Sequence, residues 1–503
     1  MQFTDIIFAL FLSTVFCLYW FPFRGRTGWQ NMLLLAASYV FYGWWDWHFL
    51  GLIFLTSLTT FLTAQYARSR YGKVLTISNI VLNLGILICF KYLGFFSENL
   101  GRLLSLFGIG LDWFTIEILV PVGISFYTFQ AIAYSIDVYK GRVEACRNPL
   151  VFFTFISYFP QLVAGPIERA SQLLPQIDGR RQWNRQQASS GMRMIMFGLM
   201  KKVCIADILA IYVDRIFSAT ELTPIMVLSG GILFSLEIYC DFSAYSEIAR
   251  GVSRLLGIEL MVNFKFPYFS RNIPEFWRRW HISLMEWFRD YLYIPLGGNR
   301  KGKMRTAFNT LIIFALSGLW HGAAWNFVLW GLYWGAFSVA AKFLLGQKIP
   351  KGDISFGCLP SMIATFGVAS FGFYLFRCSG EAQILSGLKA LWLYTSVFAG
   401  IWAFSWLLVR YVLFRKTIII ISTAAIAGII GYIAVSEWIY LLKFWWLIPG
   451  IMVLALEWEA RNSAYPLQSV SPYTWKRMML YAACVFFIAI SEPTEMTFIY
   501  FQF

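Results

Sequence analysis

Three histidines occur among the 503 residues of this chain, and the surroundings of His321 are the most informative. Largely apolar residues lie on both sides of it, in the stretch LSGLWHGAAWNFVLWG. A neutral imidazole is well suited to act as a general base near pH 7. An ionisable side chain at membrane depth also needs partners, and it marks a functional site unless those partners are structural. We therefore predict a catalytic role for His321, with a structural histidine bonded to Asn326 or to a helix carbonyl as the alternative.

Two glycines flank this histidine in the sequence. Gly318 and Gly322 bracket Leu319 to His321. Glycine permits a helix break or a close approach to the backbone, because it has no Cβ. We expect this stretch to admit a thin ligand such as a pantetheine arm.

The second histidine, His281, lies in a stretch that mixes bulky aromatic residues with charges, PEFWRRWHISLMEWFRDYLYIPLGGNR (274–300). One interpretation is a helix lying on the cytoplasmic leaflet, with Trp and Arg in the headgroup region. The other is a helix that dips into the bundle, carries His281 to the mouth of a cavity and offers guanidinium groups to the phosphates of an anionic cofactor. The candidates for donor binding or for lining this cavity are Arg278, Arg279, Trp280, Arg289, Asp290, Asn299, Gly318, Trp320 and Asn326.

Other polar residues in apolar surroundings give weaker signals. Glu237 and Asp241 are four residues apart on one face of a predicted helix, and we interpret them as supporting groups that pair with arginines of residues 271–289. Lys91 is expected to snorkel or to pair. His48 follows the sequence GWWDW and is expected to be an interfacial anchor.

Motifs for several other chemistries are missing from the sequence. It contains no P-loop, no G-x-S-x-G and no H-E-x-x-H, and its eight cysteines form no C-x-x-C pair. We expect buried thiols, with neither a disulfide framework nor a metal site.

The composition indicates which elements must position these residues. Hydrophobic residues make up 59% of the chain and charged residues 13%, and the mean hydropathy is +0.62. A soluble protein cannot cover its surface with this composition, so soluble, fibrous and disordered classes are excluded. The net charge of +15 comes from basic residues in short connecting segments, which is typical of cytoplasmic loops and not of nucleic-acid binding.

The apolar runs predict an all-α polytopic membrane protein with about 11 to 14 transmembrane helices. The predicted spans lie near residues 3–23, 31–45, 48–66, 74–96, 114–139, 194–217, 225–249, 306–318, 323–345, 358–376, 386–409, 417–436, 438–457 and 478–490. The first run lacks the preceding basic residues of a signal peptide, so we expect it to be retained as a helix. The run from Leu150 to Gly165 is short and contains a proline, and it is a candidate re-entrant element.

Basic residues fall in every second loop and predict the orientation. They place residues 166–202 and 250–305 in the cytoplasm, and both termini and the Glu98 to Asp112 loop outside. No internal repeat of the kind found in many transporters is present.

Several long motifs resemble the membrane-bound O-acyltransferase family, most closely its bacterial alginate O-acetyltransferase branch. They are ASYVFYGWW, FPQLVAGPIERASQLLPQI, YCDFSAYSEIARG, FWRRWHISL, WFRDYLYIPLGGNR, SGLWHGAAWNFVLWG and the terminal FIYFQF. The resemblance covers most of the chain, which is treated as one domain, with core motifs at about 121–345 and C-terminal helices and tail at 358–503.

The resemblance implies a ring of helices with re-entrant segments around a central funnel. It also implies that His321 is the membrane-embedded catalytic histidine and that His281, at the cytoplasmic side of the funnel, assists. Tyr500, in the tail, is similar to a tyrosine proposed as a covalent acyl carrier, and a plain aromatic anchor is the alternative for it.

The reaction that the resemblance implies is transfer of acetyl from a cytoplasmic thioester, acetyl-CoA, with no tightly bound cofactor. A separate periplasmic or extracellular transferase then passes acetyl to alginate or another exopolysaccharide, and the chain lies in the bacterial inner membrane. The alternatives are acetylation of peptidoglycan, transfer of D-alanine to teichoic acid and, in a different class, a polysaccharide or lipid transporter.

Overall fold

The computed structural model describes residues 1–108, 120–163, 165–410, 447–463, 475–491 and 498. Within these ranges the chain is helical and has no β-strand. The N-terminal helices are α1 (Ile6–Trp20), α2 (Thr27–Gly43), α3 (Leu50–Gln65), α4 (Gly72–Leu87), α5 (Leu93–Ser105) and α6 (Ile124–Tyr139). The central helices are α7 (Pro149–Ser157), α8 (Phe159–Leu162), α9 (Ala170–Asp178), α10 (Arg185–Lys201), α11 (Asp207–Phe217), α12 (Pro224–Leu255), α13 (Ile273–Trp277) and α14 (Ile282–Phe288). The C-terminal helices are α15 (Gly302–His321), α16 (Trp325–Phe343), α17 (Leu359–Arg377), α18 (Glu381–Arg410), α19 (Leu447–Ala460) and α20 (Trp475–Ile490).

Three of the long helical runs contain a π-helical turn, in which the backbone is wider than in an α-helix. These turns are Ile88–Tyr92, Lys202–Ala206 and Arg289–Tyr293. Short 3₁₀ helices lie at Trp47–Phe49, Pro267–Phe269 and Phe356–Cys358. Single π-turns are often found at functional sites, because the extra residue turns a side chain towards a new direction.

The helices confirm an all-α polytopic membrane protein. Among the described residues, five helical runs are long and apolar enough to cross a membrane: Trp47–Gln65, Gly72–Ser105, Pro224–Leu255, Phe356–Arg377 and Glu381–Arg410. Each predicted span that falls on described residues coincides with a helix, and the described part of the span predicted at 114–139, from residue 120 onwards, becomes helical at Ile124. The span predicted at 417–436 and the first part of that at 438–457 lie outside the described residues.

The segment predicted to be re-entrant is a short, interrupted and buried element. The Asn148 side chain caps the start of α7 by accepting from the backbone N–H groups of Leu150 and Val151. Tyr158 separates α7 from the four-residue α8. Phe152, Phe155 and Phe159 are fully buried, so protein surrounds the helix break and lipid does not reach it.

The long connection 250–305 enters the bundle, and the interpretation of its aromatic stretch as a helix lying on the leaflet is wrong. Phe276, Trp280 and Leu284 are each at most 2% exposed. The ring of Phe276 stacks on that of Trp334 in α16, with the centroids 5.1 Å apart. Aromatic packing against α16 therefore buries α13 and carries the following residues into the interior.

Candidate functional site

The structure brings His281 and His321 together. Their ring centroids are 6.3 Å apart, and the residues are 1% and 5% exposed. His321 is the last residue of α15, and His281 immediately precedes α14. His281 therefore lies beside the other histidine inside the bundle and not at the mouth of a cavity, as the sequence suggested.

Two features stabilise the end of α15, where His321 lies. Gly322 adopts an extended backbone conformation and stops the helix. The Lys91 ammonium donates to the carbonyls of Trp320 and His321, at 2.8 Å each, and the Tyr92 hydroxyl donates to the Leu319 carbonyl at 2.9 Å. These donors satisfy carbonyls that the end of a helix leaves without partners, and a cation is favourable beside them.

His281 sits in a strained backbone conformation. Its φ of 41° is one of two positive φ values at non-glycine residues in the described chain. The next two residues are fixed by Asn263: the Ile282 N–H donates to its carbonyl at 2.9 Å, and the Ser283 hydroxyl donates to its side-chain oxygen at 2.9 Å. Backbone strain of this kind persists where the surroundings enforce it, and it is often found at functional sites.

Aromatic rings surround both imidazoles. His281 lies edge-on to Phe242, with centroids 4.7 Å apart, and 5.8 Å from Trp320. His321 lies 5.1 Å from Trp330 and 5.3 Å from Phe376. These rings exclude bulk water from the two histidines, and electrostatic interactions in the site are stronger as a result.

A small cavity of about 60 Å³ adjoins His321. Its lining includes Lys91, Trp320, His321, Val163 and the start of α6 at Ile124. At about 30 Å³ for a water molecule in the liquid, the space takes about two water-sized groups. A reacting group of a few heavy atoms would fit beside the imidazole.

A larger cavity of about 480 Å³ adjoins the turn that follows His321. Ala323 to Asn326 line it together with Glu98, Asn99, Arg102 and Glu381. The Trp325 indole N–H donates to the Asn99 side chain at 2.8 Å, which ties this turn to α5. One cavity is therefore lined by Trp320 and His321 and the other by Ala323 to Asn326, on the two sides of Gly322 in the sequence.

The charged candidates of the aromatic stretch are partly engaged in ion pairs. Arg279 donates to Glu275 at 2.9 Å, and Asp290 accepts from Arg169 at 2.8 Å and from Arg289 at 2.7 Å. Burial opposes ionisation of Glu275, but hydrogen bonds from Arg271 and the charge of Arg279 outweigh it and hold the pKa of Glu275 below its ordinary value. Salt-bridged carboxylates are structural partners here, and they are less available to a ligand.

The cationic surface that remains exposed lies mainly after α14. Arg278 is exposed, and so are Asn299, Arg300, Lys301, Lys303 and Arg305. Trp280, by contrast, lies in the core, with its ring 4.7 Å from Phe373.

The two glycines near His321 provide the predicted helix break and close backbone approach, and the close approach is to α16. A Cβ at Gly318 would lie 2.0 Å from the Phe327 carbonyl oxygen, and one at Gly322 would lie 2.1 Å from the Phe327 ring. Helix α16 therefore occupies the space next to both. Asn326 lines the cavity of about 480 Å³, and its side-chain amide donates to the Phe376 carbonyl at 2.8 Å.

Glu237 and Asp241 are buried, but they do not pair with the arginines of residues 271–289. Asp241 accepts from Lys202 at 2.8 Å, while Arg271 and Arg279 both bond to Glu275. Asp241 therefore contacts the π-helical turn Lys202–Ala206 that follows α10.

His48 is on the surface, as expected for an anchor. Its side chain is 65% exposed, bonds to Asp46 at 2.6 Å and stacks on Trp47. Tyr500 lies outside the described residues, but Phe498 is fully buried, with its ring 4.3 Å from Tyr245 and 6.0 Å from Phe242. Because Phe242 contacts His281, the tail reaches the neighbourhood of the histidines at residue 498.

Sequence reasoning did not assign Lys91, Asn263 and Ser283 to the site. Lys91 is the strongest of the three signals, because it is a single cation in the apolar run ICFKYLGFF. Its partners are carbonyls more than two hundred residues away, and local sequence could not identify them.

Comparison with known proteins places the chain in a family. A family model for the membrane-bound O-acyltransferase family matches residues 147–347. The probable alginate O-acetylase AlgI of Azotobacter vinelandii is 39% identical over 354 residues, which are 69% of this chain and 70% of the relative. The peptidoglycan O-acetyltransferase of Helicobacter pylori is 33% identical over 72% of this chain and 73% of the relative.

A more distant relative has a different printed activity. The teichoic acid D-alanyltransferase of Bacillus subtilis is 29% identical over 51% of this chain and 68% of the relative. All three relatives are acyl-transferring proteins by name, which argues against the transporter alternative. The chain belongs to the membrane-bound O-acyltransferase family and is a multi-pass membrane acyltransferase.

Proposed function

We propose that this enzyme takes acetyl from a cytoplasmic thioester, acetyl-CoA, and delivers it outside the bacterial inner membrane for O-acetylation of an exopolysaccharide such as alginate. The observation that carries the proposal is the buried pair of histidines, of which His321 lines a cavity of about 60 Å³. This cavity accommodates the carbonyl and methyl of an acetyl group. The names of two relatives, an alginate O-acetylase and a peptidoglycan O-acetyltransferase, support acetyl transfer to a glycan.

In the proposed reaction His321 is the general base. It accepts the proton of an acceptor hydroxyl while the hydroxyl oxygen attacks the thioester carbonyl. The carbon–sulfur bond then breaks, and the thiolate leaves with the proton that the imidazole returns. His281, 6.3 Å away, orients the donor or the base, and the reaction needs no tightly bound cofactor.

The position of His321 along α15 supports transfer across the membrane. The 20-residue helix starts next to the basic residues 300–305, which we place in the cytoplasm with the donor's phosphates. At 1.5 Å per residue it is about 30 Å long, similar to the thickness of the hydrocarbon core. His321 then lies towards the outer side, where the polar cavity of about 480 Å³ offers a route for the acceptor.

The acceptor of the first transfer is either Tyr500 or a hydroxyl of a separate extracytoplasmic transferase. Burial of Phe498 near His281 supports a tail position within reach of the site. The partner transferase would pass acetyl to the polysaccharide and decide which glycan is modified. With both termini outside, as the loop charges predict, the tail and that partner lie on the same side.

Peptidoglycan is the second candidate acceptor, because the Helicobacter pylori relative is named for that reaction. D-alanyl transfer is disfavoured by the lower identity of the Bacillus subtilis protein. The identity of the glycan that carries acetyl in the native host decides between the first two.

The test uses membranes of the native host, from which the gene for this protein has been deleted. The deletion strain is complemented with the wild-type protein or with His321→Ala, at matched expression. Acetyl-labelled CoA is added, and free CoA, protein-bound label and alkali-labile acetate on glycan are measured. We expect CoA release and glycan acetate to fall at least about 1,000-fold in the variant. Normal acetylation by folded His321→Ala protein would refute the assignment. Label on the tail peptide would identify Tyr500 as a carrier, and its absence under trapping conditions would favour direct transfer to the partner.

A further inference from the structure

The Lys91 ammonium has one more N–H donor than its bonds to the end of α15 require. It lies on the π-helical turn Ile88–Tyr92, and its ammonium donates to the carbonyls of Trp320 and His321. An ammonium group has three N–H donors, and these two carbonyls are its acceptors among the described residues. One donor therefore remains for a group in the cavity that Lys91 lines with His321.

The start of α6 adds positive potential to the same cavity. Gly123, Ile124 and Ser125 all belong to the lining. Gly123 has a φ of 75°, and a Cβ there would lie 2.6 Å from the Leu162 carbonyl oxygen. The first N–H groups of a 16-residue helix carry a partial positive charge, which favours a negative group in front of them.

We propose that Lys91 is a catalytic residue that donates a hydrogen bond to the oxyanion formed when the acceptor attacks the acyl carbonyl. The inference rests on the proposed function and extends it. The new carbon–oxygen bond turns the carbonyl oxygen into an oxyanion, while the proton of the attacking hydroxyl goes to His321. Lys91 keeps its protons throughout, and when the intermediate collapses the thiolate departs with the proton from His321. A cation beside the forming oxyanion in a water-excluded site stabilises the transition state more than the neutral carbonyl.

A purely structural role would make Lys91 equivalent to its neighbour Tyr92. Both side chains donate to carbonyls at the end of α15. Tyr92, however, is not part of the cavity lining. Tyr92→Phe is therefore a matched control that removes one bond to the helix end and leaves the cavity unchanged.

The experiment compares Lys91→Met, Tyr92→Phe and His321→Ala in native-host membranes with labelled acetyl-CoA as the probe. The maximal rate of CoA release, the KM for acetyl-CoA and the melting temperature of each purified variant are measured. Methionine has a similar length and no donor. We expect Lys91→Met to lower the maximal rate about 100-fold to 1,000-fold with the KM within about threefold. Tyr92→Phe should stay within about fivefold of the wild-type rate.

Two results would overturn the proposal. One is a Lys91→Met rate within about fivefold of wild type, and the other is an equal loss of rate and melting temperature in both cap variants, which would make Lys91 a structural cap. Normal activity of His321→Ala would instead refute the role of His321 as general base, and a lack of CoA release by the wild type would refute the proposed function itself. If Lys91→Met does not fold, Lys91→Arg replaces it as the test, because arginine keeps the charge at the helix end. A loss of rate of at least about tenfold at normal melting temperature then supports the proposal. A wild-type rate of Lys91→Arg counts against it.

Discussion

Two regions of the interior contain buried polar side chains, and their surroundings differ. In the first, which we call the lysine cluster, Lys201 contacts Glu247 at 3.0 Å and Glu457 at 2.6 Å. In the same cluster Lys202 contacts Asp207 at 2.7 Å and Asp241 at 2.8 Å. In the second, the histidine site, His281 and His321 lie among aromatic rings, and His321 lines a cavity.

The contrast separates structural from chemical use of buried polarity. Each lysine of the cluster lies between two carboxylates, so its charge is neutralised by the protein itself. In the histidine site the imidazoles meet rings and a space that fits a reacting group. A buried ionisable residue therefore indicates function when it faces such a space, and it indicates structure when fixed charges saturate it.

Removing one charge from the lysine cluster is expected to have the largest effect on stability. Lys201 is fully buried, and Lys201→Met would leave Glu247 and Glu457 without their cation. We expect the free energy of unfolding to fall by about 3–5 kcal/mol, while the specific activity of protein that stays folded remains near wild type. Unfolding in detergent and CoA release measure the two effects. Lys389→Met, at an exposed position, is the control and should change stability by less than about 0.5 kcal/mol.

The cluster would lose its structural assignment if Lys201→Met kept wild-type stability but lost activity. The double variant Lys201→Met with Glu457→Gln sharpens the test. Removing one of the stranded carboxylates should restore part of the stability that the single variant loses.

His281 gives the reverse pattern, a loss of activity with little loss of stability. Asparagine tolerates a positive φ better than other non-glycine residues, so His281→Asn keeps the backbone and removes the imidazole. We expect the rate of CoA release to fall about 100-fold at nearly unchanged melting temperature. His281→Val, whose branched side chain opposes the same φ, should lose stability as well. A wild-type rate in folded His281→Asn would show that the backbone conformation matters and the ring does not.

Much of the fold was predictable because apolar runs and loop charges report membrane spans directly. The helices follow the predicted spans wherever the structure describes them, and the interrupted segment after Leu150 was visible from its length and its proline. The burial of His321 was also predictable, because this histidine lies inside an apolar run. These inferences depend on local composition alone.

The contacts between distant segments were not predictable. Asp241 and Lys202 come from α12 and the turn after α10, and Lys91 reaches carbonyls at the end of α15. The depth of His281 depends on aromatic packing of α13 against α16. The sequence at Gly318 is compatible with close approach of a ligand and with close approach of a helix, because both require a residue without a Cβ. In the structure the neighbour is a helix, α16.

Gly318→Ala tests whether this glycine serves packing. The added methyl would meet the Phe327 carbonyl oxygen at 2.0 Å, so α15 and α16 must separate. We expect a loss of about 1–3 kcal/mol in the free energy of unfolding, with activity falling only as far as His321 is displaced. Gly85→Ala in α4 is the control, since no heavy atom lies within 4 Å of its added Cβ, and it should be neutral or slightly stabilising. Equal stability of the two variants would contradict the packing role.

The smallest expected effect concerns the pH dependence of stability at Glu168, which lies after the re-entrant element. Burial raises the pKa of Glu168 to about 8, against the opposing effects of the Met261 N–H that donates to it and the charge of Arg250. Between the ordinary pKa of a glutamate and about pH 8, Glu168 is therefore protonated in the folded chain and ionised in the unfolded chain. The free energy of unfolding of the wild type should fall as the pH rises towards about 8 and level off above it.

Glu168→Gln keeps an acceptor for Met261 and removes the titration, so its stability relative to wild type should rise between pH 6 and pH 9. Glu275→Gln is the opposite case. The pKa of Glu275 is lowered in the folded chain, so its contribution to stability is fully present above the ordinary pKa and is lost as the pH falls through the lowered value. Both values lie below pH 6. The difference in stability between Glu275→Gln and wild type should therefore not change between pH 6 and pH 9. Thermal unfolding of the three proteins at several pH values measures both trends. Parallel curves for Glu168→Gln and wild type would show that Glu168 is ionised in the fold, and its interaction with Arg250 would then outweigh its burial.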